Sequence, residues 1–263
     1  TAAAQYLPAV IEAHEAGVPL VVLTADRPPE LRQVGAGQAI DQLKLYGDAV
    51  RWFFDVGTHE ATADRGRWIR TLACRAVAVA AGRTGDRPRP VHLNWALREP
   101  LIPPADLPAD PQPGRAEGAP WVRFASPDAP ADLAIRDLVS GRRGVIVAGP
   151  GHDAGGDEIA GLARRLGWPL LADPLSGART GAAAVAHYDA LLRDARYAAR
   201  HRPDVVLRFG DLPTSKPLRQ WLASLDVPQI AGTAAGSWPD PDGRLSHVVG
   251  AGAAAALLAA CDG

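Results

Sequence analysis

Asp26 and Arg27 stand where an apolar run has just ended. Leu20 to Leu23 is a short stretch, rich in β-branched residues and of buried-strand length, and Thr-Ala-Asp-Arg-Pro-Pro follows it. Pro28 disfavours helical backbone at Arg27, and Pro29 prolongs the break. The pattern fixes an always-charged guanidinium at the carboxyl end of a strand, the edge at which open parallel sheets bind ligands. A guanidinium offers parallel N–H donors that match a carboxylate. Further on, Gly35-Ala36-Gly37-Gln38 combines two glycines that let backbone come close with a side chain that both donates and accepts. Taken singly, Asp26 and Arg27 also read as a surface ion pair and the glycines as a plain turn.

Lys216 is the third candidate. Lys44 and Lys216 are the only lysines in the chain. Lys216 lies in Gly210-Asp211-Leu212-Pro213-Thr214-Ser215-Lys216-Pro217, after one strand and at the start of a helix; its plain alternative is a solvated lysine. His92 and Asn94 alternate on a strand and so share a face. Structural hydrogen bonding is the favoured reading for both over a catalytic pair. Gly149-Pro150-Gly151-His152-Asp153-Ala154-Gly155 sits between a strand and a helix, as a dinucleotide turn would. Its spacing is GxGxxxG, and Asp153, Asp157 and Glu158 crowd a helix start that a phosphate would need bare. It reads as a structural turn.

These residues need elements to hold them. The spacing predicts a helix over residues 2–16 closed by Gly17, the strand at 20–23, a short helix over 38–46, and a strand over 50–56. A long helix over 60–81, capped by Thr58, and a strand over 90–95 follow. Residues 99–120 are too rich in proline for helix or central strand and read as a linker. Beyond it the pattern predicts helices at 129–139, 156–166, 188–201, 218–225 and 253–260. Strands are predicted at 144–148, 168–172, 204–209, 228–231 and 246–249. Alternation of this kind is the signature of parallel α/β sheets.

The 263 residues are 47% hydrophobic and 22% charged with a net charge of −1, ordinary for a globular protein and unlike a nucleic-acid or membrane-surface binder. No apolar run is long enough to span a bilayer. Cys74 and Cys261 are far apart and lack metal-ligand spacing, which suits reduced thiols in a cytoplasm. No methionine occurs, and the opening residues read as the middle of a domain, so a piece of a longer protein is expected.

TADRPPEL, GAGQAIDQ and LYG together resemble the 2-succinyl-5-enolpyruvyl-6-hydroxy-3-cyclohexene-1-carboxylate synthase family, thiamine-diphosphate-dependent enzymes of menaquinone biosynthesis. PVHLNWALREPL resembles the closing strand of that family's pyrimidine-binding domain. ADPLSGAR, FGDLPTSKPL, His187-Tyr188-Asp189 and Trp238-Pro239-Asp240 resemble its central domain. The resemblance implies that Arg27, Gln38 and Lys216 bind substrate. Gly37 stands where an Asn is usual, and Pro217 where some members carry a second cation. It implies three segments: 1–102, the C-terminal part of a pyrimidine-binding domain; 103–120, the linker; and 121–263, a Rossmann-like central domain with a parallel sheet of five to six strands. It further implies decarboxylative joining of 2-oxoglutarate to isochorismate, both dianions, with thiamine diphosphate and Mg²⁺ as cofactors in a cytoplasmic homodimer or homotetramer. The family's cofactor-activating Glu would precede Thr1, and its Gly-Asp-Gly-Ser motif would follow Gly263. This chain alone is therefore expected to hold no cofactor and to be inactive. The alternative is a non-catalytic Rossmann-like module that binds a nucleotide or an anionic metabolite.

Overall fold

In the computed structural model the described residues are 2–84, 86–102, 105–106, 109–125, 133–152, 154–233 and 237–249. They form two compact units, Thr1–Trp121 and Val122–Gly263. In the first, α1 (Leu7–Ala16) follows a 3₁₀ turn at Ala3–Tyr6, then β1 (Val21–Asp26), β2 (Trp52–Asp55), α2 (Ala63–Ala80) and β3 (Val91–Ala96). In the second come β4 (Arg123–Ala125), α3 (Leu133–Val139), β5 (Gly144–Ala148), α4 (Gly156–Leu166) and β6 (Leu170–Ala172). They are followed by α5 (Tyr188–Leu192), α6 (Ala195–Arg200), β7 (Val205–Phe209), α7 (Lys216–Ser224), β8 (Gln229–Gly232) and β9 (His247–Val249). The chain is α/β with two parallel sheets, as its sequence pattern predicts.

The first sheet has the order β1-β3-β2. Val21 pairs with Val91 and Asp26 with Ala96, while Asp55 pairs with Asn94. The register gathers Asp26, Asp55 and Asn94 at one end, the carboxyl end. Leu72, Ala76 and Ala80 of α2 pack on Val91 and Leu93. Val10 of α1 packs with Val22, Tyr46 and Val50. α1 stops at Gly17, which takes φ 67 and donates back to Ala13 and His14.

The second sheet has the order β4-β9-β8-β7-β5-β6. Its strands are buried on both faces, so Ile146, Leu170, Leu207 and Ile230 pack on one side with α4 while Val145, Val147, Leu171 and Val206 pack on the other with α7. The sheet has six strands where five are legible as strands in the sequence. The extra one, β4, is three residues long and pairs only with β9.

Three predicted elements differ. No helix spans 38–46, where Gln38 and Lys44 take φ 61 and 54 and Asp41 accepts from the backbone N–H of Leu43 in a tight turn. The apparent helical period there comes from Gln42 and Tyr46, which turn inward from irregular backbone. The long helix is capped by Thr62, whose Oγ1 accepts from Arg65 N, while Thr58 instead accepts from Arg98 at 3.1 Å. The helix expected over 188–201 is broken into α5 and α6, because Asp194 caps the second by accepting from Arg196 and Tyr197 N–H groups. The expected helix at 253–260, the start of that at 129–139, Asp153 and Cys261 lie outside the described residues; Cys74 is half-buried. Among the described residues no helix is long and apolar enough to cross a membrane.

Candidate functional site

The strand ends of the first unit carry buried polar side chains. Thr24 Oγ1 donates to Asn94 Oδ1 at 2.8 Å and meets His92 Nε2 at 2.7 Å. With the hydroxyl proton committed to Asn94, the ring donates from Nε2 to Thr24. His92 is wholly buried between Tyr46 and Phe53, and burial lowers its pKa to about 4 against the opposing charge of Asp55. It is a neutral, packed imidazole.

Asn94 Nδ2 donates to Asp26 Oδ2 at 2.9 Å and to Asp55 Oδ1 at 3.0 Å. Arg32 bridges the same two carboxylates, at 3.1 Å from Asp26 and 3.2 Å from Asp55. Burial works against the charge on Arg32, but the hydrogen bond to Asp55 and the charges of Asp26 and Asp55 hold its pKa above the ordinary value. Gln42 Nε2 donates to Ala25 O at 2.9 Å and Asp26 Oδ1 at 3.2 Å, and its buried Oε1 has no partner among the described residues.

Arg27 sits at the rim of this cluster. Its guanidinium reaches Gly37 O at 3.5 Å and Glu99 at 3.8 Å, contacts too long to saturate it. Arg27 and Gln38 line one cleft of about 360 Å³ with Asp26, Gln42 and Glu99. Gln38, in left-handed backbone and exposed, also lines a neighbouring hollow of about 690 Å³ with Tyr6, Leu23, Thr24 and Ile40. Two of the three sequence candidates are thus together. The residues that sequence reasoning missed are Arg32, Asp55 and Gln42. Arg32 follows Arg27 in the same loop, and Gln42 is four residues past Gln38; only the sheet register shows that they converge.

Lys216 belongs to the second unit. It is exposed, opens α7 after the Ser215 cap, and pairs with no carboxylate among the described residues. It lines a cleft of about 420 Å³ with Asp173, Arg179, Tyr188, Asp189, Arg193 and Thr214. Asp173 accepts from the Thr214 hydroxyl at 2.6 Å and from the backbone N–H groups of Thr214 and Leu175, both at 2.9 Å. Burial pushes its pKa up, but these hydrogen bonds outweigh it and the net shift is downward. Ser215 Oγ donates to Asp189 Oδ1 at 2.6 Å, and that bond and the Arg193 pair lower the pKa of Asp189.

The strand order of the second sheet reverses at β5, between β6 and β7, the place where nucleotides enter such sheets. Here that place is filled by backbone. A Cβ on Gly149 would lie 1.7 Å from Asp211 O, and one on Gly210 would lie 2.3 Å from Pro150 O. Asp211 N donates to Pro150 O at 2.8 Å. The start of α4 is closed too, since Glu158 accepts from Gly155 N at 3.1 Å. Among the described residues no three His, Cys, Asp or Glu side chains cluster to hold a metal.

Residues 116–230 match the family model described as "Middle domain of thiamine pyrophosphate". The chain is 45% identical to the 2-succinyl-5-enolpyruvyl-6-hydroxy-3-cyclohexene-1-carboxylate synthase of Geobacillus thermodenitrificans over 92% of its length and 42% of the relative's. It is 44% identical to the synthase of that name from Haloquadratum walsbyi, over 95% of this chain and 42% of that one. With the Halobacterium salinarum synthase it shares 43% identity over 100% of this chain and 48% of the relative. The chain therefore spans a little under half the length of the curated relatives it matches.

Proposed function

We propose that this chain, which belongs by sequence to the 2-succinyl-5-enolpyruvyl-6-hydroxy-3-cyclohexene-1-carboxylate synthase family, supplies the part of such an enzyme that grips the carboxylates of its substrates. Residues 1–102 are the closing part of a pyrimidine-binding domain, 103–120 a linker, and 121–263 the central domain. The substrates are 2-oxoglutarate and isochorismate, joined with loss of carbon dioxide in the cytoplasm by a homodimer or homotetramer.

One observation carries the reading: Arg27 and Gln38 line one cleft, and among the described residues the Arg27 guanidinium pairs only with Glu99, at a long 3.8 Å. A dianionic acid entering there would take both parallel N–H groups, and the Gln38 amide would hold an adjacent oxygen. Lys216 is the second unit's own substrate-binding candidate, a point charge on a flexible stem beside the cleft that Asp173, Arg179 and Asp189 line.

The family implies thiamine diphosphate with Mg²⁺. The described residues do not fit that group: the glycine turn at Gly149 is packed against backbone, the α4 start is capped by its own Glu158, and no metal cluster is present among them. The same closure weighs against the alternative of a nucleotide-binding module. The role assigned to this chain is to bind and orient the acids, with the cofactor chemistry left to other parts of such an enzyme.

Calorimetric titration with 2-oxoglutarate tests it. The parent chain is expected to bind and Arg27→Ala to bind at least about tenfold more weakly, as loss of a charge-assisted pair requires. Equal affinity in the two would sink the reading. Binding of an adenine or nicotinamide nucleotide in preference to the diacid would favour the module.

A further inference from the structure

Two arginines share the turn after β1 and are treated in opposite ways. Arg32 is saturated: Nε donates to Arg27 O at 3.1 Å, Nη1 and Nη2 reach Asp55 at 3.2 and 3.4 Å, and Nη2 pairs with Asp26 at 3.1 Å. Arg27 is left open. The peptide of Arg27 is itself held at both ends, because its N–H donates to Asp26 Oδ1 at 2.8 Å while its carbonyl takes the Arg32 Nε bond. The Asp26–Arg32 ion pair closes this loop of contacts. Asn94 then ties Asp26 to Asp55, so all three strands of the sheet anchor it.

The Asp26 side chain is 2% exposed and that of Arg32 20%. Taking such charges out of water costs more than equally sized apolar packing would. Stability alone therefore does not account for the arrangement, whereas aiming does: a group that must meet a ligand has to be held by neighbours whose own positions are fixed. Gln42 extends the same hold to the loop that bears Gln38, since it donates to Ala25 O and Asp26.

We propose that Arg32 and Asp26 are positioning residues for Arg27: they grip its peptide from both ends and keep its guanidinium directed at the Gln38 cleft. The inference rests on the reading of Arg27 as the group that grips a substrate carboxylate.

The test measures two things on the same samples of the full chain, amide hydrogen exchange at Arg27 by NMR and 2-oxoglutarate affinity by calorimetry. In Arg32→Gln, exchange at Arg27 should quicken and affinity fall about tenfold, the usual scale for loss of an orienting neighbour. Asp55→Asn, which leaves the Arg27 peptide contacts in place, should show a smaller change of the same sign. Asp204→Asn breaks an exposed pair with Arg143 in the other unit and should change neither. Should Arg32→Gln not fold, Asp55→Asn and Arg32→Lys are read by the same two measures. Unchanged exchange at Arg27, or faster exchange with unchanged affinity, overturns the proposal while leaving Arg27 a ligand. Absence of binding by the parent chain overturns the Arg27 reading and this one with it.

Discussion

The two units solve opposite problems at the same place in a parallel sheet. In the first, the carboxyl ends of the strands carry Asp26, Asp55 and Asn94, and a charged cluster is assembled there at a cost in desolvation. In the second, the corresponding ends of β5 and β7 are closed by two glycine turns that touch main chain to main chain. The first sheet keeps a cation with only long contacts, to Gly37 O and Glu99, beside a cleft. The second has a core whose central strands are wholly buried on both faces. Parallel topology thus offers a site without obliging the chain to use it, and the residues one or two positions past each strand decide which happens.

The largest expected effect breaks the second half of this contrast. Gly149→Ala would put a methyl group 1.7 Å from Asp211 O, where backbone on both sides must give way. Denaturant unfolding of the second unit should show a loss of about 3 kcal/mol or more, the upper range for overpacking. A loss below about 1 kcal/mol would mean that the turns are not in contact.

The first unit is probed by Asn94→Ala. Removing the amide leaves the buried Asp26 and the exposed Asp55 each short of a donor, at a cost of about 2 kcal/mol that falls mainly on Asp26. The loss should appear in the transition of the first unit and leave that of the second in place.

A subtler separation comes from pH. Burial lowers the His92 pKa in the folded chain to about 4, below its ordinary value of 6.5. Between these values the unfolded chain binds a proton that the folded chain refuses. The stabilisation is therefore complete above pH 6.5, falls as the pH drops toward 4, and levels off below. We expect the first unit to lose on the order of 2 kcal/mol by pH 5. His92→Gln should flatten the profile between pH 6.5 and 5; an unaltered slope would assign it to other groups.

The smallest effect on stability is expected from Lys216→Ala. An exposed side chain without a carboxylate partner among the described residues should change unfolding by less than about 0.5 kcal/mol. A diacid bound at its cleft would nonetheless be held less tightly, and calorimetry of the two proteins compares them directly.

Much of this was legible in the residues. Gly144–Ala148 and Gly156–Leu166 can be bounded from sequence because a buried apolar run and an amphipathic stretch with glycine at each side leave few alternatives. The Pro28 break likewise announces a charged turn after β1. What was not legible depends on contacts distant in the chain. Arg32 looks like any loop arginine until β1, β2 and β3 bring Asp26 and Asp55 to either side of it. Gln42 mimics a helical position because its spacing from Gln38 suits one, yet Asp41 and two left-handed residues hold the backbone in turns. Asp194 breaks a helix that the apolar pattern alone would continue, because its carboxylate competes for two N–H groups.

Gly149 and Gly210 also bear on how this chain can change over generations. A collision between two side chains can be relieved by shrinking either one. A collision of a new side chain with main chain has no such remedy, since every residue type carries the same carbonyl. The two positions are therefore locked to each other, and any ancestor or descendant that opened this sheet to a nucleotide would have had to reshape both turns together.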